Sequence, residues 1–201
     1  MLHSVCYNTI KRKRGNNFMN IVQPIRDKKK INAMKTLLKA KNEKYYIMFR
    51  IGVNVGLRVS DILTLKVKDV KLKDHVTITE KKTEKTKRFL VPTTLQKEIN
   101  LYIKENNMND EEYLIQSRKG NNKPISRIQA YRVLNEVAQQ IGLDEIGTHT
   151  MRKTFGYHHY KQNKDVAILQ DIFNHSAPSI TLRYIGITDD IKDDTLKDFD
   201  L

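Results

Sequence analysis

The 201-residue chain is read as mostly α with a small antiparallel β-sheet, an α+β domain. Three observations predict this class. Apolar residues recur at helical spacing over most of the length. One central stretch, between residues 67 and 91, switches to period two. Cap and stop residues, among them Gly56, Ser60, Ser126, Gly142 and Thr148, punctuate the helical stretches where breaks are expected.

The elements follow in order. Residues 1–26 form a basic N-terminal extension, expected to be flexible, in which Lys11, Arg12, Lys13 and Arg14 precede Gly15. It is either a leader without a role or an arm that touches a polyanion. Residues 27–41 predict a basic helix with Ile31, Met34, Leu37 and Leu38 on one face. Residues 43–55 predict a second helix, with Tyr46, Phe49, Ile51 and Val53 on a broad apolar face, ended by Gly56. Ser60 is placed as N-cap of a short helix over 61–65, where Asp61 suits the positive end of the helix dipole.

The period then changes. Residues 67–70, 76–79 and 88–91 are assigned to strands, and the polar run 80–87 to a hairpin tip. Helix resumes over 94–106 and breaks at 107–110. Ser126 caps a helix through Ile141, closed by Gly142, and Thr148 caps another from His149 to about residue 162. Residues 165–173 form a short helix, and Pro178 opens the next. The acidic tail, 188–201, follows Ile187, which with Ile191, Leu196 and Phe199 lies at roughly helical spacing.

Charge points to a partner. Lys and Arg number 37 against 23 Asp and Glu, a formal net charge of +14. A polyanion is the direct reading, because each phosphate met by Lys or Arg releases condensed counterions. The single cysteine, Cys6, excludes an internal disulfide framework and a cysteine-based zinc site, and fits a reducing cytoplasm. The longest apolar stretches are broken by Asn, Arg or Lys, so neither a membrane span nor a signal peptide is expected.

Six side chains have the chemistry to hold and attack a phosphodiester. Arg58 and Arg152 offer forked donors to phosphate oxygens. His149 and His175 can move protons near neutral pH. Tyr184 supplies a hydroxyl able to act as a covalent nucleophile. Lys82, on the hairpin, can swing toward a leaving oxygen, with Lys81, Lys85 and Lys87 as competitors. His149 and Arg152, three apart in a first helical turn, share a face beside free backbone N–H groups that favour an anion. Asp61 can brace the Arg58 guanidinium. Taken singly, each has a plain structural alternative: a solvated surface charge for Arg58, Lys82 and the His149–Arg152 pair, a capping residue for His175, and a half-buried core tyrosine for Tyr184.

Taken together, the ordered set resembles the tyrosine recombinases, the phage-integrase family. Gly56-Leu57-Arg58-Val59-Ser60-Asp61 is similar to the first arginine box. Lys82-Thr83 before Arg88-Phe89-Leu90-Val91-Pro92 is similar to the hairpin-lysine segment. His149-Thr150-Met151-Arg152-Lys153-Thr154-Phe155 resembles the second box, and Asn174-His175-Ser176 with Tyr184 the closing histidine and nucleophile. The likeness spans residues 27–187, the expected catalytic domain. Three positions depart from the usual pattern: Asn174 stands for glycine, Met151 for leucine and Lys153 for a frequent histidine.

The resemblance implies a site-specific DNA recombinase acting through a 3′-phosphotyrosyl intermediate to integrate, excise or invert a mobile element. It implies no cofactor and no metal. It implies double-stranded DNA as partner, self-association into a tetrameric synapse, accessory DNA-bending or directionality factors, no membrane, and a cytoplasmic, bacterial or phage-encoded origin. The roles it implies are phosphate clamps for Arg58 and Arg152, general base for His149, acid for Lys82, phosphate donor for His175 and nucleophile for Tyr184. Only a short basic stretch precedes the catalytic region, as in small single-domain members such as invertases. The tail 188–201 would be the helix that docks on a neighbouring protomer, with packing on its own domain or fraying as the alternative. Two alternatives are a non-catalytic DNA-binding derivative and a type IB topoisomerase-like relaxing enzyme.

Overall fold

The computed structural model describes residues 22–79, 86–144, 146–197 and 199–200. Helix α1 (Lys28–Lys41) starts at Asp27, whose carboxylate accepts from the Lys29 N–H at 2.7 Å. Asn42 separates it from α2 (Glu43–Val55) and caps the second helix through its side chain. α1 buries Ile31, Met34 and Leu38 as expected, whereas α2 buries Ile47 and Met48 with Phe49 and Ile51 and leaves Tyr46 and Val53 of the expected face half-buried, and the two helices meet in one core. Gly56 ends α2 in the left-handed region, at φ +74°. A Cβ there would also lie 2.4 Å from the Phe155 ring, so both backbone conformation and packing require glycine.

Two short helices follow, α3 (Val59–Thr64) and α4 (Val67–Val70). Both correct expectations. Arg58, not Ser60, is the N-cap of α3, and the Ser60 hydroxyl instead donates to the Asp61 carboxylate at 3.2 Å. Residues 67–70 form a helical turn rather than a strand. Val67 and Val70 are both buried, and a spacing of three places them on one face of a helix but on opposite faces of a strand. Asp69 fixes the start of the turn by accepting from the Lys66 N–H at 2.8 Å.

The sheet therefore has two strands among the described residues. β1 (His75–Thr79) and β2 (Thr86–Leu90) run antiparallel with Val76 opposite Phe89 and Ile78 opposite Lys87. Residues 80–85, the hairpin tip with Lys82, lie outside the described residues, as do residues 1–21 with their basic cluster. Residues 22–26, assigned by sequence to the extension, pack into the domain. Ile25 is 1% exposed and its N–H donates to the Thr154 hydroxyl at 2.9 Å.

Helices α5 (Thr93–Glu105) and α6 (Arg127–Gln139) complete the main core with Leu95, Ile99, Val133 and Leu134. α7 (Thr150–Asn163) packs across α2. His149, rather than Thr148, occupies its N-cap position, without a side-chain cap; Thr150 folds back instead and accepts from the Gly147 N–H at 2.9 Å. α8 (Val166–Phe173), α9 (Pro178–Tyr184) and α10 (Ile187–Leu196) follow. They enclose a second, smaller cluster of Tyr157, Leu169, Phe173, Ile185 and Ile187. Gly156 lets this cluster close on α7, since a Cβ there would sit 2.6 Å from Ile185 and 2.7 Å from Phe173.

Candidate active site

The site forms where the end of α2, the start of α7 and the ends of α8 and α9 converge. Its centre is Arg152, 4% exposed. A buried guanidinium is tolerable only when its donors are satisfied. One Nη donates to the Gly56 carbonyl at 2.5 Å and the other to the Ile172 carbonyl at 3.2 Å. The Phe173 ring lies beneath the group, its centroid 4.5 Å from Cζ. The Arg152 charge also acts on the Tyr184 phenol. One arginine thus ties together α2 and α8.

Tyr184 closes α9. Its half-buried ring stands edge-on to Phe173 at 5.4 Å and to His175 at 5.1 Å, with the Lys153 ammonium 5.2 Å from its centroid. Nδ1 of His149 lies 3.2 Å from its hydroxyl. Burial pushes the phenol above its ordinary value, while the Arg152 and Arg58 charges pull the other way. The resting phenol is therefore protonated at neutral pH and needs a base.

The imidazole beside it is suited to that task. Burial first, then the Arg152, Lys153 and Arg58 charges, hold His149 below the ordinary imidazole value. It is neutral at pH 7, with a lone pair available. His175 is lowered by burial, Arg152 and Arg58 in that order. Asn174 adopts the left-handed conformation after α8, at φ 56°, and so turns His175 back toward the phenol. Asparagine serves where the family pattern has glycine.

Arg58 caps α3 two residues after Gly56. Its side chain is 42% exposed and stands 4.0 Å from the Asp61 carboxylate, the brace expected from sequence. Its charge acts on both imidazoles and on the phenol, as that of Arg152 does. The structure thus brings Arg58, His149, Arg152, His175 and Tyr184 together, with Asp61 behind Arg58. Of the competing lysines, Lys87 is engaged elsewhere: its ammonium donates to the Asp171 backbone carbonyl and lies 3.4 Å from that carboxylate, holding β2 against α8.

Sequence reasoning missed three supports. Lys153, noted only as a departure, donates to the Val22 carbonyl at 2.7 Å while its charge lies over the Tyr184 ring. Phe173, assigned to a helix core, is the platform for Arg152 and Tyr184. Thr181 is fully buried, and its hydroxyl lies 3.0 Å from Nδ1 of His175. A threonine three residues before the tyrosine, on the apolar side of a short helix, was the available signal for the last.

The profile described as "Phage integrase family" matches residues 27–190. The chain belongs to the phage integrase family. Among family relatives it is 55% identical over 172 residues to the probable integrase/recombinase YoeC of Bacillus subtilis, covering 86% of this chain and 93% of that one. It is 28% identical over 134 residues to the tyrosine recombinase XerA of Pyrococcus furiosus, covering 66% of this chain and 46% of XerA. The chain thus spans about half the length of the XerA and XerC relatives it matches. In fold it is similar to the crystal structure of XerA recombinase (TM-score 0.70, 16% identity, 88% of this chain and 65% of that one). It also resembles the catalytic domain of bacteriophage HP1 integrase (TM-score 0.59, 18% identity, 81% and 86%). The helical domain with its two-stranded sheet is the tyrosine recombinase catalytic fold of the phage integrases. Among the described residues no helix is long and apolar enough to cross a membrane.

Proposed function

We propose that this phage-integrase family member is a site-specific recombinase that cuts and rejoins duplex DNA through Tyr184. The observation that carries the assignment is the 3.2 Å approach of the His149 Nδ1 to the Tyr184 hydroxyl beside the buried Arg152. The phenol oxygen attacks a phosphorus of the DNA backbone as its proton passes to His149. The phosphorus–O5′ bond breaks, leaving a 3′-phosphotyrosyl link and a 5′-hydroxyl. Lys82 supplies the proton to the leaving oxygen. A 5′-hydroxyl from a second strand then reverses the step, and the covalent link conserves the bond energy.

Arg58 and Arg152 hold the non-bridging oxygens as charge develops, and His175 donates to the same phosphate. Residues 27–187, with residues 22–26 and the start of α10 packed against them, are assigned to the catalytic domain. The net charge of +14 supports a DNA partner. Further support comes from structural neighbours described as DNA complexes: XerH bound to difH, and a lambda integrase dimer bound to a core site. Assembly of several protomers on DNA, the tail of residues 188–201 docking between them, and accessory bending or directionality factors belong to the same proposal, as does a cytoplasmic location.

The test is a nicked suicide substrate drawn from DNA flanking the gene, resolved on a denaturing gel. Wild-type protein is expected to form a covalent adduct. Tyr184→Phe is expected to form none while binding the duplex within about twofold, since the phenyl ring keeps its packing. Equal loss of binding and cleavage in that variant would remove Tyr184 as nucleophile. Sequence-independent relaxation of supercoiled plasmid without pairing of sites would replace recombination by a topoisomerase-like activity.

A further inference from the structure

His175 has two ring nitrogens and can donate from only one when neutral. Its Nδ1 is occupied by the Thr181 hydroxyl at 3.0 Å. Thr181 lies on α9, one turn before Tyr184, and is 0% exposed. A helical threonine usually directs its hydroxyl to a carbonyl one turn back. Thr36 on α1 does this, donating to the Asn32 carbonyl at 3.2 Å. The Thr181 hydroxyl is turned to the imidazole instead. The same helix therefore carries both the tyrosine and the group that contacts the histidine.

We propose that Thr181 is a positioning residue that sets the His175 tautomer, donating its hydroxyl hydrogen to Nδ1 so that Nε2 carries the proton presented to the phosphate. The proposal rests on the reading of His175 as a phosphate donor. If the hydroxyl accepted instead, the proton would sit on Nδ1 and Nε2 would present a lone pair to an anion, which repels it. The assignment does not require a charged imidazole. Burial and the neighbouring arginines disfavour the charged form, which makes the choice of tautomer decisive. Because Thr181 and Tyr184 share α9, any shift of the nucleophile helix carries the tautomer-setting hydroxyl with it. A helix swung out of place would lose both the attacking oxygen and the correctly protonated donor.

Two measurements test it. Nitrogen-15 spectra of labelled protein at neutral pH, without DNA, read the tautomer directly. His175 is expected to show a protonated Nε2 and an unprotonated Nδ1. In Thr181→Val, which replaces the hydroxyl by a methyl of similar size, the tautomers should mix. Cleavage of the suicide substrate should then fall by about tenfold to a hundredfold with unchanged DNA binding. Thr181→Ser should restore both the spectrum and most of the rate. A protonated Nδ1 in the wild type, or a wild-type tautomer and rate in Thr181→Val, would overturn the proposal. A protonated Nε2 together with full cleavage by His175→Ala would leave the Thr181 assignment standing and remove His175 from the mechanism.

Discussion

The two arginines of the site present the same chemistry from opposite kinds of support. Arg152 is built into the protein, its donors accepted by the carbonyls of Gly56 and Ile172, its plane resting on Phe173 and its surface 4% exposed. Arg58 stands at the rim with a half-exposed side chain and one carboxylate 4.0 Å away. An exposed pair of that length is worth little to stability. The difference separates two functions usually confused in a phosphate site. Arg152 contributes to the fold as well as to the proposed charge stabilisation, whereas Arg58, with little structural engagement, is proposed to serve the ligand alone.

The strongest way to break this comparison is to truncate each arginine. Arg152→Ala is expected to lower cleavage by at least two to three orders of magnitude, the scale on which preorganised donors act at developing charge. It should also lower stability by about 1–3 kcal/mol, because two carbonyls lose their buried donor. Arg58→Ala should lower cleavage on the same scale, leave the melting temperature within about a degree, and shallow the salt dependence of DNA binding. Suicide-substrate kinetics and thermal unfolding decide it. A large melting shift in Arg58→Ala, or none in Arg152→Ala, would mean the division of labour is wrong.

A smaller effect concerns pH. As the proposed base, His149 works only when neutral, so the rate should fall as pH drops through its own pKa. Burial and the charges of Arg152, Lys153 and Arg58 hold that value below 6.5. The acid limb of the single-turnover cleavage rate should therefore lie below pH 6.5. Removing Arg58 takes away one repulsive charge and should move the limb upward, toward 6.5. The phenol is raised above 10, so its ionisation produces no basic limb below that pH. Stability has the same sign. An imidazole with a depressed folded pKa contributes stability that is present above 6.5 and lost as pH falls through the folded value. An acid limb above 6.5 in the wild type would contradict the environment described for His149.

Much of the layout of this site is legible in the sequence. Spacing alone places His149 and Arg152 on one helical turn, and residue type alone marks Gly56 as a helix exit; Gly56, and Asn174 where the family pattern has glycine, both adopt the left-handed conformation. What sequence did not carry was the set of tertiary partners. The segment 67–70 was misread because a four-residue apolar–polar run is too short to distinguish period two from a helical turn. Its i, i+3 valines were the better clue. Ser60 was misplaced as a cap because the competing acceptor, Asp61, sits next to it. Thr181 and Thr154 look like ordinary helix residues, and only the packing of α9 against His175 and of residues 22–26 against α7 assigns their hydroxyls. The approach of Tyr184 to Arg152 spans 32 positions in sequence and depends on Gly156 admitting the small cluster, a feature no local pattern states.

The mildest perturbation lies at the other edge of that cluster and sharpens the comparison from outside the site. Asp190 anchors the first turn of α10, accepting from Arg26 Nε at 2.8 Å and from the Tyr157 hydroxyl at 2.9 Å. Burial and this bond push the Tyr157 phenol up to about 12, so it remains a donor throughout the working range. Beyond the anchor, Ile191, Leu196 and Phe199 are 55%, 64% and 65% exposed. Asn at position 190 keeps an acceptor for Tyr157 and loses the Arg26 hydrogen bond with the ion pairs to Arg26 and Lys161, which are partly solvated. Asp190→Asn should therefore cost no more than about 1 kcal/mol and change cleavage less than about threefold. Deleting residues 188–201 removes the anchor and the exposed apolar side chains together. If the tail docks on a neighbouring protomer, the deletion should block assembly on DNA, measured by gel shift, while Asp190→Asn assembles normally. If both variants assemble as wild type and differ only in melting temperature, the tail acts within its own domain, and α10 supports the site only by closing the cluster beneath Tyr184.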